Sequence, residues 1–513
     1  MVFSLLSNLI GVPQNVLRLL ITVLLGYPIA SIYKNKLILP IANISPSQQT
    51  ELRNYYVTLT GLFLAILFNG LDIKHSFITI SMTYGLCYGL GGILKNRKLA
   101  VVAVWLFNAT YLLTGYYAHM GVDYDLTWTM PQCVLCLRMM GFGFDYYDGE
   151  EKKEKKEKKE KEISNQSKET QPETSVLEKK ANTPVVPSMP KKKQPVSFSG
   201  ETKLVELPKF SHFLGYSYFF SAFLVGPQFS FSLYQKFINN ENLSLDHENQ
   251  LPKGSESAAM KCFIKGIAYL ALQQVLDLYF PAAYLLTEEY TQLNLIMRIL
   301  VLWITGRGLI NKYLGIWQLN EGACILSGIS FNGYNQQGDA EWDGLTNIDT
   351  YAFETATSLD EIIACFNINT NFWIKQYVFK RLRFLNSKYL SQLGSLVFLS
   401  IWHGFHSGYM VTFILEFFDT FIEKKLQTQL KPWTTKLTEG SVSRKIVNFM
   451  CYLYTSFALL YAIIAFGLLR PSLYLHVYYQ VYFIGHIGVI LAFAVTVYLP
   501  YFVKSNKSEK KNQ

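Results

Sequence analysis

Apolar residues along this chain gather into long unbroken runs, and polar residues are concentrated between them. Runs of about 18 or more residues, the length that crosses ~30 Å of hydrocarbon, are read at 13–33, 53–70, 76–94, 100–119, 127–147, 212–235, 263–285, 293–316, 389–418, 445–468 and 478–503. They predict about eleven spans. A bilayer offers the backbone no water, so only helices or closed barrels cross it, and continuous runs are not the alternating ten-residue strands of a barrel. The fold class expected is all-α, a polytopic membrane helical bundle. The first run has no charged leader or small-residue cleavage site and continues into "LRLLITVLLGYPIASIY", so it reads as an anchor and not as a removed signal peptide.

Two polar interruptions differ in kind. "EEKKEKKEKKEKEISNQSKETQPETSVLEKKANTPVVPSMPKKKQPVSFSGETK", from Glu150 to Lys203, is dense in Lys and Glu and then in Pro, Ser and Thr. Such a segment buries too little surface to offset its ordering entropy, and it is expected as a solvated loop over 149–208, disordered apart from a helical start. It separates an N-terminal transmembrane block (1–148) from a transmembrane core (209–503), which a basic tail (504–513) follows. The second interruption, about 319–371, mixes Gly, Asn, Asp and Glu with aromatics. That mixture predicts a structured re-entrant or interfacial segment, irregular backbone that membranes tolerate only where it lines a cavity.

Composition agrees with a membrane protein: of 513 residues 50% are hydrophobic, 15% aromatic and only 16% charged, against about a quarter charged in soluble domains. The net charge of +10 lies in short loops and the tail, where the cytoplasmic bias toward Lys and Arg accounts for it. Nucleic-acid binding is therefore not expected. Of seven cysteines, Cys133 and Cys136 form a CxxC, but no second pair or neighbouring His completes a zinc set, so free packed thiols are expected.

The run "FLSIWHGFHSGYMVTFILEFF" carries two histidines that an anchor does not need. At a spacing of three, His403 and His406 are expected to share one helix face. The HxxH lacks the glutamate of HExxH, and no metal is expected. His406 reads best as a structural neighbour. An ionisable group within a span costs roughly 2.5 to 3.5 kcal/mol for the charged types and is a functional hypothesis by default; His403 takes that reading.

"FNINTNFWIKQYVFKRLRFL", followed by the histidine of "IWHGFHSGY" 36 positions after Asn367, resembles the membrane-bound O-acyltransferase superfamily, which pairs an Asn with a downstream intramembrane His. "DYDLTWTMPQCVLCLRMMGFGFDYYDG", "GYSYFFSAFLVGPQFSFSLY", "EGACILSGISFNGYNQQGDAEWDG" and "YFIGHIGVILAFAVTVYLPY" resemble its lysophosphatidylcholine acyltransferase branch. The resemblance spans nearly the whole chain outside the Lys/Glu loop. It implies a bundle around a buried reaction chamber, and acyl transfer from acyl-CoA to the free sn-2 hydroxyl of a lysophospholipid. It places the catalytic His on His403 and the catalytic Asn on Asn367. Acyl-CoA is then a co-substrate, no cofactor is expected, and the partners are acyl-CoA, a lysophospholipid and membrane lipid, with a homodimer allowed.

The residue types suit that chemistry. An alcohol attacking a thioester needs a base, and an imidazole with an ordinary pKa near 6.5 accepts the proton when neutral. The oxyanion needs a fixed donor, which an Asn amide supplies; losing one typically costs ~2.7 to 4 kcal/mol. Asn367 could instead orient His403, position the hydroxyl, or serve as a turn or cap, because "FNINTN" contains three Asn. No nucleophile elbow stands beside either residue, so direct transfer in a ternary complex is expected over a covalent acyl-enzyme.

Between them, Lys375, Lys380, Arg381, Arg383 and Lys388 mark a cytosolic side and are candidates for the CoA phosphates. Trp373, Tyr377, Trp402 and His406 are further candidate substrate contacts. "LVGPQFS" (224–230) and "WDG" (342–344) suggest only bundle-shaping. Lys510 and Lys511 in the terminal "KSEKKNQ" resemble a dilysine retrieval signal of the endoplasmic-reticulum membrane and require a cytosolic C-terminus. Two other readings stay open. A polytopic transporter fits the composition but would carry internal repeats, which the chain lacks. Another lipid acceptor keeps the chemistry, but the superfamily's neutral-lipid enzymes carry a Trp-Asn pair where Phe366 precedes Asn367 here.

Overall fold

The computed structural model describes residues 2–10, 12–119, 127–166, 195–244, 251–438 and 440–509. Among these the chain is mostly helical and forms no strand; only the isolated bridges Tyr334–Ala340 and Ile348–Phe366 pair extended backbone. The principal helices are Gln14–Leu37, Pro46–Asn69, Ile73–Leu86, Arg97–Ala118, Thr129–Gln166, Ser255–Tyr279, Leu295–Ser327, Lys388–His403, Ser407–Thr434, Val442–Leu468 and Ile484–Glu509. Their starts follow from short polar caps. Ser45 and Gln48 form a reciprocal capping box, Asn294 accepts from the Met297 amide at 3.0 Å, and Ser387 accepts from that of Leu390 at 3.3 Å.

Gln14–Leu37, the run Pro46–Ile93, Arg97–Ala118 and Val442–Leu468 are each long and apolar enough to cross a membrane. Pro471–Gln480 with Ile484–Tyr498 makes a fifth if that pair, bent by 75°, counts as one. Other predicted runs are helical but depart from single spans. Ser255–Tyr279 carries Glu256, Lys261, Lys265 and Asp277, and Lys388–His403 has only 16 residues.

Two runs expected as single helices are broken. The 212–235 run folds as Phe210–Ser217 and Phe231–Ile238 around irregular backbone at 218–230. Buried Arg138 explains how: its guanidinium donates to the carbonyls of Tyr216 (3.1 Å), Ser217 (3.3 Å), Ala222 (3.1 Å) and Pro227 (3.3 Å), satisfying acceptors that a helix would have satisfied itself. The 389–418 run is likewise two helices, interrupted at 404–406.

The expected loop has its helical start and differs from expectation at its C-terminal edge. The helix from Thr129 continues to Gln166, residues 167–194 lie outside the described residues, and 195–208 are packed. There Val196 N donates to Gly344 O at 2.8 Å and Leu204 N to Asp145 O at 2.8 Å, while Arg97 donates to the Leu204 and Val205 carbonyls at 3.1 and 2.6 Å. Val196, Phe198, Leu204 and Leu207 also pack against the apolar core, so hydrogen bonds and apolar contacts together hold 195–208.

Candidate active site

His403 is the last residue of its helix. Gly404 follows at φ +127°, ψ −172°, a conformation that a side chain resists, so the helix ends there. His406 then precedes Ser407–Thr434 as its N-cap residue. The two histidines therefore do not share a helix face: the glycine turns the chain between them. Gly408, the second residue of Ser407–Thr434, lies against Val442–Leu468 so closely that a Cβ would stand 2.0 Å from the Ala465 carbonyl oxygen. The small residues seat one helix on another instead of thinning a single one.

Aromatic rings surround the His403 imidazole. Trp402 and Phe466 meet it edge-on at centroid distances of 4.6 and 5.0 Å, and Phe413 lies stacked at 5.7 Å and Tyr409 tilted at 5.4 Å. Among the described residues neither ring nitrogen has a hydrogen-bond partner. Rings fix the plane of the imidazole and leave both nitrogens to whatever occupies the space beside it.

Asn367 sits at a bend of another kind. Its backbone is left-handed (φ +48°, ψ 44°), a region Asn enters more readily than other side-chain-bearing residues. The bridge between Ile348 and Phe366 brings the 343–349 strap alongside, and Ile368 N donates to Asn347 O at 3.0 Å. Asn347 Nδ2 donates to Asn367 Oδ1 at 3.3 Å. The other two Asn of "FNINTN" are tied to backbone: Asn369 Nδ2 donates to the Leu345 and Thr346 carbonyls at 3.1 and 3.0 Å, and Asn371 Nδ2 to those of Ile363 and Phe366 at 2.8 and 2.9 Å. Asn367 alone of the three keeps an amide nitrogen with no partner among the described residues.

The strap is anchored by buried Glu321, on Leu295–Ser327. Its carboxylate accepts from Thr346 Oγ1 at 2.7 Å and from Asn347 N and Gln318 Nε2 at 3.3 Å each. Glu321 and Asn347 carry no site role in the sequence reading; the only signal was their place beside the "EGACILS" and "WDG" motifs.

Asn367 and His403 line one cavity of about 1090 Å³. Its walls are single helix faces. Gln392, Leu396, Leu399 and His403 come from one helix, Phe413, Glu416 and Asp419 from the next, Ala458, Ala462 and Phe466 from Val442–Leu468, and Tyr313, Trp317 and Glu321 from Leu295–Ser327. Steps of three and four residues put each set on one side of its helix. Lys375 and Lys388 also line the cavity.

The remaining candidates lie outside that lining. Trp373 is buried among Trp105, Phe398 and Tyr377. Tyr377 is buried and donates to Asp145 Oδ1 at 2.7 Å. Trp402 Nε1 donates to Cys133 O at 2.9 Å. Lys380 is exposed and donates to Gln376 Oε1 at 2.5 Å, while Arg381 pairs with Asp148 at 2.5 Å over the Phe144 ring. His406 meets Tyr409 edge-on at 6.1 Å. Trp373 and Tyr377 were expected as substrate contacts; the helix turns carrying them point them into the protein instead.

The sequence model of the membrane-bound O-acyltransferase family matches residues 113–464, which contain Asn367, His403 and most of the cavity wall. Among curated proteins, lysophospholipid acyltransferase 5 of Homo sapiens is 33% identical over 508 residues, covering 99% of this chain and 93% of that protein. The Drosophila melanogaster protein of the same name is 33% identical over 487 residues, 94% of this chain and 87% of its own. The lysophospholipid acyltransferase of Schizosaccharomyces pombe is 27% identical over 504 residues, 96% and 88% of the two chains. With the family's sequence model matching 113–464 and likeness to its lysophospholipid acyltransferases along nearly its whole length, this chain belongs to the membrane-bound O-acyltransferase family.

Proposed function

We propose that this protein is a lysophospholipid O-acyltransferase that moves a fatty acyl group from acyl-CoA to the sn-2 hydroxyl of a lysophospholipid, with lysophosphatidylcholine as acceptor ahead of lysophosphatidylethanolamine and lysophosphatidylserine. The observation that carries this reading is the shared cavity of His403 and Asn367. Its volume is at or above the upper end of the ~300 to 1,000 Å³ of ordinary small-molecule sites, which suits two amphiphiles held together. The names of the relatives support the same reaction class.

A ring nitrogen of His403 takes the proton of the acceptor hydroxyl as its oxygen attacks the thioester carbonyl carbon. Asn367 Nδ2 donates to the oxyanion that forms. Collapse of the tetrahedral species breaks the C–S bond, and the imidazolium returns its proton to the departing CoA thiolate. Holding both substrates converts a bimolecular encounter into an oriented one, and the apolar helix faces exclude the water that would hydrolyse the thioester. Lys375 and Lys388, on the cavity wall, are placed for the CoA phosphates.

We further place the chain in the endoplasmic-reticulum membrane with about eleven spans and re-entrant segments around a buried reaction chamber, and with a cytosolic C-terminus whose Lys510 and Lys511 lie outside the described residues. Support comes from the apolar runs of the sequence and the broken helices at 218–230 and 404–406. Microsomes containing the protein, given acyl-CoA and mixed lysophospholipids, should form the diacyl product, with phosphatidylcholine foremost. Absence of product with every acceptor would sink the proposal. Formation from a sterol or diacylglycerol acceptor instead would keep the chemistry and replace the substrate.

A further inference from the structure

We infer that Asn347 is the positioning residue that aims the Asn367 amide, so that its donors and not its oxygen face the reacting carbonyl. The inference rests on the proposed acyl transfer and adds a residue to it. An asparagine amide has two ends of almost equal shape. Half a turn about its last torsion exchanges two donors for an acceptor, and an acceptor facing an oxyanion would repel it. Something must choose the end.

The choice runs through a chain of contacts with no ambiguous member. The carbonyls of Leu345 and Thr346 only accept, so the end of Asn369 facing them, at 3.1 and 3.0 Å, is its NH2. The Asn369 backbone N–H only donates, so the end of Asn347 facing it at 3.2 Å is its oxygen, which also takes Asn369 Nδ2 at 3.2 Å. The other end of Asn347 is then NH2, and it donates to Asn367 Oδ1 at 3.3 Å. By elimination, Asn367 keeps its own NH2 for the cavity that it lines. Asn347 is 2% exposed, so water does not readily replace its bond to Asn367. Its backbone is held independently, through Glu321 Oε2 and Ile368 N, so its side chain can be changed while the strap stays anchored.

Asn347→Asp is the direct test. The carboxylate still accepts from Asn369, but a second oxygen now faces Asn367 Oδ1. Asn367 relieves that repulsion by turning its NH2 toward the strap, which withdraws the donors from the cavity. In full-length protein in microsomes, N347D should lower kcat roughly 10²-fold, the low end of the cost of losing an oxyanion donor, with KM for acyl-CoA and lysophosphatidylcholine unchanged. In an Asn367→Gly background, which already lacks the amide, N347D should have little further effect, because residues acting through one another are not additive. N347S removes the same bond without adding charge and should show the same pattern.

Wild-type kcat in both variants overturns the inference. So does a loss that persists undiminished in the N367G background, or failure of both variants to yield folded protein, since either makes Asn347 structural. His403→Ala is measured beside them. If H403A is inactive while N347D is normal, only the inference fails; if H403A keeps wild-type activity, the proposed chemistry fails and takes the inference with it.

Discussion

The two sides of the cavity hold their functional residues by opposite means. Asn367 is oriented by a hydrogen-bond chain through Asn347 and Asn369, anchored on the Glu321 carboxylate. His403 is held by four aromatic rings and, among the described residues, by no hydrogen bond. The difference fits the roles proposed for them. A donor must point one specific atom at a developing charge, and only a directional contact selects that atom. A base that takes a proton and then returns it benefits from a fixed ring plane with both nitrogens unengaged. Non-directional packing supplies the plane without competing for the lone pair.

The comparison breaks most completely at the base. His403→Ala should lower the acyl-transfer rate by up to roughly 10⁴-fold, the upper part of the range for general acid–base groups, with the protein still folded because among the described residues the ring makes no hydrogen bond that others depend on. Single-turnover formation of phosphatidylcholine measures it; a loss below tenfold would remove His403 from the chemistry. Asn367→Gly comes next, at roughly 10² to 10³-fold in kcat. Glycine is the informative choice because it accepts φ +48° without strain. If N367G were as active as wild type while Asn367→Ala were not, the residue would matter for its bend and not for its amide.

The same contrast explains what was legible in the sequence. Runs such as Gln14–Leu37, Arg97–Ala118 and Val442–Leu468 declare themselves because a span needs only local apolar length. The breaks at 218–230 and 404–406 do not. One depends on Arg138 reaching carbonyls some 80 to 90 positions away, the other on a glycine turn that averaged hydropathy passes over. His403 and Asn367 were singled out through a motif resemblance, and the structure places both on one cavity; composition alone would not have separated Asn367 from Asn369 and Asn371. Glu321 and Asn347 were missed because their meaning lies in contacts between distant segments. Trp373 and Tyr377 illustrate the converse: their place among the basic residues suggested substrate contact, yet packing against Trp105 and a bond to Asp145 place them inside.

The aromatic side can be loosened by degrees. Phe466 meets His403, Tyr409, Phe413 and Tyr313 and lines the cavity, so it joins the imidazole to the cavity wall. Phe466→Ala removes one edge of the cage and lets the imidazole tilt. A misplacement near 1 Å can cost up to roughly 10²-fold in rate, and kcat should fall by tenfold or more. Phe466→Leu keeps most of the bulk and should recover most of that loss, because the cage acts through shape. If F466L and F466A were equally impaired, the edge-on ring itself and not its volume would be what holds His403.

The smallest effect tests where the cavity ends. Both Lys375 and Lys380 are exposed, but Lys375 lines the cavity and Lys380, five residues on, does not, its ammonium resting on Gln376. If the CoA phosphates meet the protein through the cavity wall, Lys375→Ala removes a charge-assisted bond, for which about 1.5 kcal/mol corresponds to roughly a tenfold rise in KM for acyl-CoA. Lys380→Ala should leave both kcat and KM within error at physiological ionic strength, because Lys380 is off the cavity wall and exposed charges separated by more than the Debye length of about 8 Å are largely screened. The two lysines share one short basic segment, so a charge count cannot tell them apart; equal KM increases in K375A and K380A would mean that the segment acts as a diffuse field and that acyl-CoA is recognised outside the cavity.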